Sequence, residues 1–323
     1  MTMQATIVQA VNDALHTEME RDDRVVVFGE DVAESGGVFR ATDELLEEFG
    51  TDRVVDTPLS EIAIVGGAAG MAMYGYRPVA EIQFSGFLPP AFDQLVTNAS
   101  RIRWRTRGEL SAPMVVRMPY GAGVRALEHH SESLEGAYGH IPGLKVAVPS
   151  TPADTKGLLT AAIRDPDPVL FMEPKRIYRS IRDEVPEGEH EVPLGEAAVR
   201  REGSELTVVA WGAMMPATLE AVEQSGVDAE VIDLRTISPM DAETIVESVK
   251  KTGRCCVVHE GPRTLGVGSE IIARINDEAL MYLEAPVERV TGFDTPVPLL
   301  SMEDFYFPHP PRIVEGIERA LSV

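Results

Sequence analysis

Between residues 25 and 173 the chain repeats one pattern: a short, mostly apolar run, continuous in the first case, then a longer stretch where apolar residues recur at helical spacing. The runs are VVVF (25–28), RVVD (53–56), RPVAEI (77–82), MVVRM (114–118), LKVAV (144–148) and VLFME (169–173). A strand that is apolar on successive positions must be covered on both faces, which is the situation of a parallel sheet with helices on each side. The intervening segments supply those helices. Ile7, Val11, Ala14, Leu15 and Met19 share one helical face; Leu45, Leu46 and Phe49 mark a second helix, and Phe92, Leu95, Val96, Ala99 and Ile102 a third. Ser60 is placed to cap a helix running through the small residues 66–70, and Thr151-Pro152 opens another with a capping hydroxyl and a proline at the first helical position. The pattern predicts an α/β fold built on a parallel, doubly wound sheet.

Residues 183–195, DEVPEGEHEVPLG, are acidic and rich in Pro and Gly, and read as a linker after a first domain of residues 1–182. A smaller second domain, 196–323, repeats the alternation: LTVVA (206–210), a helix near 218–224, AEVIDL (229–234), a helix over 241–251, CCVVHE (255–260) and a helix over 269–277. It too reads as parallel α/β. The 2 cysteines, Cys255 and Cys256, are adjacent within an apolar run, so a buried strand is expected rather than a disulfide framework.

The net charge of -23 argues against nucleic acid or an anionic membrane as partner, because phosphate would be repelled. No stretch approaches the length of a membrane span and the N-terminus lacks a signal-type apolar core, so a cytoplasmic protein is expected. The bases are nearly all Arg, with Lys only at 145, 156, 175, 250 and 251. An acidic, Lys-poor surface suits a salt-adapted (halophilic) protein, in which screening removes the self-repulsion.

Walker A, G-x-S-x-G and H-E-x-x-H motifs are absent, and neither GGAAG (66–70) nor GVGSE (266–270) has dinucleotide-binding spacing. What remains is a set of polar residues at strand ends, where open α/β sheets hold their ligands. Glu61 opens the helix after RVVD and the turn TPLS; on spacing alone, complementing the helix dipole is its simplest role. Glu81 and Gln83 end another strand, with Phe84 and Phe87 beyond. His129 and His130 sit in the loop RALEHHSES; adjacent histidines are expected to diverge, and without a third ligand at metal spacing a zinc site is improbable. His140, before the turn IPG, reads as structural, and His259-Glu260 as an interface or capping pair.

DTPLSE (56–61) narrows the function. With AEIQFSGFLPPAFDQ (80–94), HHSES (129–133), YGHIPGLKVAVPSTPADTKGLL (138–159), RDPDPVLFMEP (164–174), VVAWGAMMPATLEAV and AEVIDLRTISPMD, it closely resembles the beta subunits of thiamine-diphosphate-dependent 2-oxoacid dehydrogenases, the pyruvate, branched-chain and acetoin members included. The resemblance runs from about residue 25 to the end. It implies a pyrimidine-binding first domain and a transketolase C-terminal-like second domain that makes dimer contacts. It also implies oxidative decarboxylation of a 2-oxoacid with reductive acylation of a lipoyl group.

The resemblance gives Glu61 the role of sharing a proton with a ring nitrogen of the cofactor's pyrimidine, which favours the tautomer that activates the thiazolium carbon. Leu59 and Gln83 match positions lining that ring, and Phe87 one where an aromatic stacks on it. His130 matches the active-site histidine. Glu132 stands where Gln is usual, and an acid there is expected to raise the His130 pKa by charge attraction. Met114, Ala162, Ile163, Asp165 and Asp167 match a structural potassium site, although Asp167 usually appears as Asn. The family's G-D-G motif for diphosphate and magnesium is missing from this chain. The resemblance therefore implies an alpha subunit that carries it, in an alpha2beta2 heterotetramer working with a dihydrolipoamide acyltransferase core. Two alternatives stay open: half of a split transketolase-like enzyme, and a non-catalytic assembly subunit.

Overall fold

The computed structural model describes residues 1–322. Its strands, in chain order, are β1 (Thr2–Thr6), β2 (Val25–Gly29), β3 (Val54–Asp56), β4 (Arg77–Glu81), β5 (Val115–Tyr120), β6 (Lys145–Ala147), β7 (Val169–Pro174), β8 (Arg182–Pro186), β9 (Ala198–Arg201), β10 (Leu206–Ala210), β11 (Ala229–Asp233), β12 (Thr236–Ser238), β13 (Cys255–His259) and β14 (Glu288–Thr291). They form a seven-stranded sheet in the order β12-β6-β7-β5-β4-β2-β3, a five-stranded sheet β14-β13-β10-β11-β9 and the pair β1-β8.

The continuous apolar runs behave as two-sided coverage demands. In β2, Val25 and Val27 belong to one core, with Ile7, Val11 and Leu15 of the helix Ile7–Arg21. Val26 and Phe28 belong to the other, with Ile64, Val65 and Ala68 of the helix Glu61–Met73. Alternate side chains point to opposite faces, so each strand ties two helical layers together. β3, β2, β4, β5, β7 and β6, neighbours in that order, are all parallel to one another. Among the described residues no helix is long and apolar enough to cross a membrane.

Several local expectations change. The Thr151 hydroxyl does cap the helix Pro152–Arg164, accepting from the Asp154 amide at 3.2 Å. Ser60 precedes its helix but makes no side-chain cap, contributing only its carbonyl to the Ile64 amide at 2.9 Å. The third expected helix is a π-turn, Gln94–Ala99, followed by the short helix Ile102–Arg105. In the second half, β9 runs antiparallel to β11 at the sheet edge, so that sheet is mixed. β8 covers the start of the acidic Pro/Gly segment and pairs antiparallel with β1. β12 leaves the second half and joins the first half's sheet, antiparallel to β6. Both cysteines are free and buried in β13.

Candidate active site

The order β5-β4-β2-β3 contains a reversal. From β2 the chain crosses to β3, then returns to add β4 on the other side of β2. Beyond the carboxyl ends of such strands a crevice opens, because the connections leave in opposite directions. In register, Gly29 lies beside both Asp56 and Glu81. The segments that follow these three residues carry Glu30 and Asp31, Thr57 to Glu61, and Gln83 to Phe87.

Each segment is tied down. The Asp56 carboxylate accepts the amides of Ala33 at 2.7 Å and Glu34 at 3.2 Å, fixing the loop after β2. The Thr57 amide donates to the Gly29 carbonyl at 2.8 Å, and Gln83 Nε2 to Asp31 Oδ2 at 3.2 Å. Glu61, half-buried, heads its helix, where the dipole favours negative charge. Its carboxylate has no hydrogen bond to another group among the described residues, which leaves it available. Burial, then the nearby charges of Glu61 and Asp31, push the Glu30 carboxyl up, so a second acid faces the same crevice. Leu59 keeps 78% of its surface exposed, an apolar face offered to whatever fills the crevice.

The far wall is aromatic. Phe84 and Phe87 pack edge-on at 5.5 Å, and the His130 ring lies 4.5 Å from Phe84 and 5.2 Å from Phe87. Gly86 makes this possible: a Cβ there would come within 2.0 Å of the His129 carbonyl oxygen. Contrary to expectation, the two histidines do not diverge; their rings lie 4.4 Å apart, because Glu128–His130 winds into a tight 3-10 turn. The Lys175 ammonium donates to the carbonyls of His130 and Gly121, holding the loop from beneath. Burial brings Lys175 down to about 8. His130 shifts down rather than up, through burial and then the charges of His129 and Lys175. The expected influence of Glu132 is absent; its own carboxyl is raised by burial and by the charge of Glu128. His130 Nδ1 is buried without a partner.

Under the crevice Arg117 bridges two buried acids. It donates to Glu173 through Nε at 2.6 Å and Nη2 at 2.8 Å, and to Glu81 through Nη1. Glu173 also accepts the Tyr178 hydroxyl. Sequence reasoning passed over Glu30, Asp31, Lys175 and this bridge. Glu30 and Asp31 directly follow a strand, a signal that was available; the bridge had none, since its members are 36 and 56 residues apart.

Met114, Ala162, Ile163, Asp165 and Asp167 gather at the opposite edge of the sheet, before β5 and β7. The Ile163 and Asp165 carbonyls accept Arg77 Nη1 at 2.7 and 3.2 Å, and the Met114 carbonyl accepts the Val169 amide at 2.9 Å. Lys145 pairs with Asp165, and Arg103 with Asp167 at 2.6 Å. Side-chain cations already serve this segment, so its residues present no unmet demand for a potassium ion. No group of three or more His, Cys, Asp or Glu able to hold a metal occurs among the described residues.

Residues 3–180 match the transketolase pyrimidine binding domain and residues 195–313 the transketolase C-terminal domain, which makes the chain a protein of the transketolase class. At the level of fold, a split-gene transketolase, an inactive beta4 tetramer, superposes with a TM-score of 0.78 over 98% of both chains, at 22% identity. The chain is 52% identical to the pyruvate dehydrogenase E1 component subunit beta of Acholeplasma laidlawii, covering 97% of each. It is 48% identical to that of Bacillus subtilis, covering 99% of each. It is 50% identical to the 3-methyl-2-oxobutanoate dehydrogenase subunit beta of Mycobacterium tuberculosis, covering 99% of this chain and 93% of the relative. The chain belongs to the family of beta subunits of pyruvate and branched-chain 2-oxoacid dehydrogenases.

Proposed function

We propose that the chain is the pyrimidine-binding half of a thiamine-diphosphate-dependent 2-oxoacid dehydrogenase, in which Glu61 sets the protonation of the cofactor ring. The carrying observation is the pairing of an unengaged carboxylate at a helix start with an exposed Leu59 and a half-buried Phe87 around one crevice. These residues fit a flat, apolar-faced, hydrogen-bonding ring: an acceptor in Glu61, an amide in Gln83, and the faces of Leu59 and Phe87. Thiamine diphosphate, when bound, supplies an electron sink for decarboxylation.

The work of this chain is positional and protonic. Glu61 accepts a hydrogen bond from a ring N–H; an ionised acceptor makes that bond stronger than a neutral amide would. Gln83 is oriented by Asp31, and Asp31 in turn by the loop that Asp56 pins. His130, neutral because its pKa is lowered, offers one ring nitrogen as donor and the other as acceptor for a substrate or lipoyl group. The chain has no G-D-G motif, so the diphosphate and magnesium fall to an alpha subunit, and the active site forms across the interface of an alpha2beta2 assembly that feeds a lipoyl acyltransferase core.

The test is exchange of the thiazolium C2 proton in the complex reconstituted with its alpha chain. Glu61→Ala is expected to slow exchange by about 100-fold or more, the scale of positioned acid–base catalysis. Exchange at the wild-type rate would leave only an assembly role for the chain.

A further inference from the structure

A second cavity, of about 1050 Å³, opens at the seam between the two halves and shares none of Glu61, Gln83, Phe87 or His130. Ser133, Glu135 and His140 line it from the first half; His259, Gly266 and Ser269 line it from the second.

The helix Val267–Ala279 points its N-terminus into this space. Its cap residue is Gly266, which has no side chain to cap the helix; the Ser269 amide bonds the Gly266 carbonyl at 2.9 Å, which leaves the Val267 and Gly268 amides at the positive end of the dipole. His259 is the independent sign of a ligand. It is 1% exposed, lies flat against Trp211 at 5.3 Å, and its Nε2 has no hydrogen-bond partner. A buried ring nitrogen left unbonded costs stability, and such groups in native folds call for an explanation. Two glycines keep the space before Nε2 clear: a Cβ on Gly266 or Gly268 would lie 3.2 or 3.1 Å from it.

The surrounding groups select the charge of the ligand. Arg289 donates to Ser269 Oγ at 2.8 Å, and Arg263 to the Arg289 carbonyl at 2.9 Å, placing two guanidinium groups beside the helix start. Burial, followed by these two arginines, brings His259 down to about 4, so it stands as a neutral ring with one N–H to give. Glu135 receives the Trp211 indole N–H at 3.3 Å on one oxygen and has the other unpartnered. Burial raises its carboxyl, favouring the neutral acid, which is a donor rather than a competing charge.

We propose that this cleft is a binding site for a small oxyanion, a carboxylate or a phosphate, gripped by the first amides of the Val267–Ala279 helix and by His259 Nε2. Leu134, Ile237, Met240 and Leu265 form apolar walls for a short carbon body. A ligand seated there touches Ser133 and Leu134, three and four residues beyond His130, so its occupancy reaches the loop that carries the active-site histidine.

The experiment titrates inorganic phosphate and, separately, butyrate into the complex assembled with its alpha chain and saturated with thiamine diphosphate, followed by calorimetry. At least one anion is expected to bind saturably; phosphate alone marks a phosphate site, and butyrate alone a carboxylate site. Gly268→Ala, which closes the space before Nε2 while favouring the helix, is expected to weaken binding at least ~10-fold, equivalent to ~1.4 kcal/mol. Arg263→Gln, which removes the guanidinium bonded to the Arg289 carbonyl, tests the same point through charge and should weaken it ~3-fold or more. Turnover without added anion should be unchanged in both. No binding of either anion tighter than about 10 mM, or equal binding by wild type and both variants, would overturn the proposal.

Discussion

Arg117→Met puts the buried bridge beneath the active site to a quantitative test. Arg117, Glu81 and Glu173 are 1%, 3% and 0% exposed, so water cannot replace what the guanidinium supplies. Removing one partner of a buried ion pair costs about 3–5 kcal/mol, because a charge is left in a poorly polarisable medium. Here one substitution strands two carboxylates. At about 2–4 °C per kcal/mol for domains approaching this size, the melting temperature of the first unfolding transition should fall by at least ~6 °C near pH 8. The pH dependence carries the sign. Burial already pushes Glu81 above its ordinary 4.5, and without Arg117 nothing opposes that push. A group whose folded pKa is raised gives its full stability below the unfolded value and loses it as pH rises through the folded value. The deficit should therefore be largest near neutrality and above, and shrink as pH approaches about 4.5. Adding Glu81→Gln and Glu173→Gln to Arg117→Met should recover much of the loss near pH 8. Differential scanning calorimetry over a pH series measures all of this. A variant that melts with the wild type near pH 8, or a deficit indifferent to pH, would refute the view that these acids depend on one cation.

Lys175, brought down to about 8 from an ordinary 10.5, binds fewer protons folded than unfolded between those values, so its contribution to stability should rise with pH through that window. Lys175→Met should abolish that rise and, by freeing the His130 carbonyl, lower turnover in the assembled enzyme; a retained slope would show that another group titrates. Burial pushes Cys256 up to about 12 and Cys255 well above its usual range, so a thiol-reactive disulfide reagent should modify neither in the native protein and both in urea. The charge of -23 predicts that raising KCl from about 0.1 to 1 M, which shortens the screening length from about 10 to 3 Å, increases the melting temperature. A flat response would remove self-repulsion as a term in stability and the salt-adapted reading with it.

What could be read from sequence depended on whether the cause was local. The run at 25–28 is apolar at every position and those at 206–210 and 255–260 nearly so, and the strands they predict form with bounds matching to within a residue. Thr151-Pro152 carries its cap within four residues, and that cap forms. β1, β8, β9, β12 and β14 escaped because they are short, partly polar, or edge strands whose pairing comes from distant chain. The site divides in the same way. Strand-end placement led to Glu61, Gln83 and Phe87, while their roles came from resemblance alone. The His130 shift runs opposite to what the nearby Glu132 suggests, because burial of the ring outweighs charge and the charges that follow it are those of His129 and of Lys175, 45 residues away beneath the loop.

The strand β12 fixes how this polypeptide can be cut. A fragment ending in the acidic connector would lose β12, the edge strand on that side, and leave the buried strand β6 as the unpaired edge of the sheet. Such an edge is a template for sticking to copies of itself. The sensible unit for expression, grafting or shuffling among relatives is therefore the whole chain, and chimaeras joined between the lobes should exchange β12 along with the sheet that it completes.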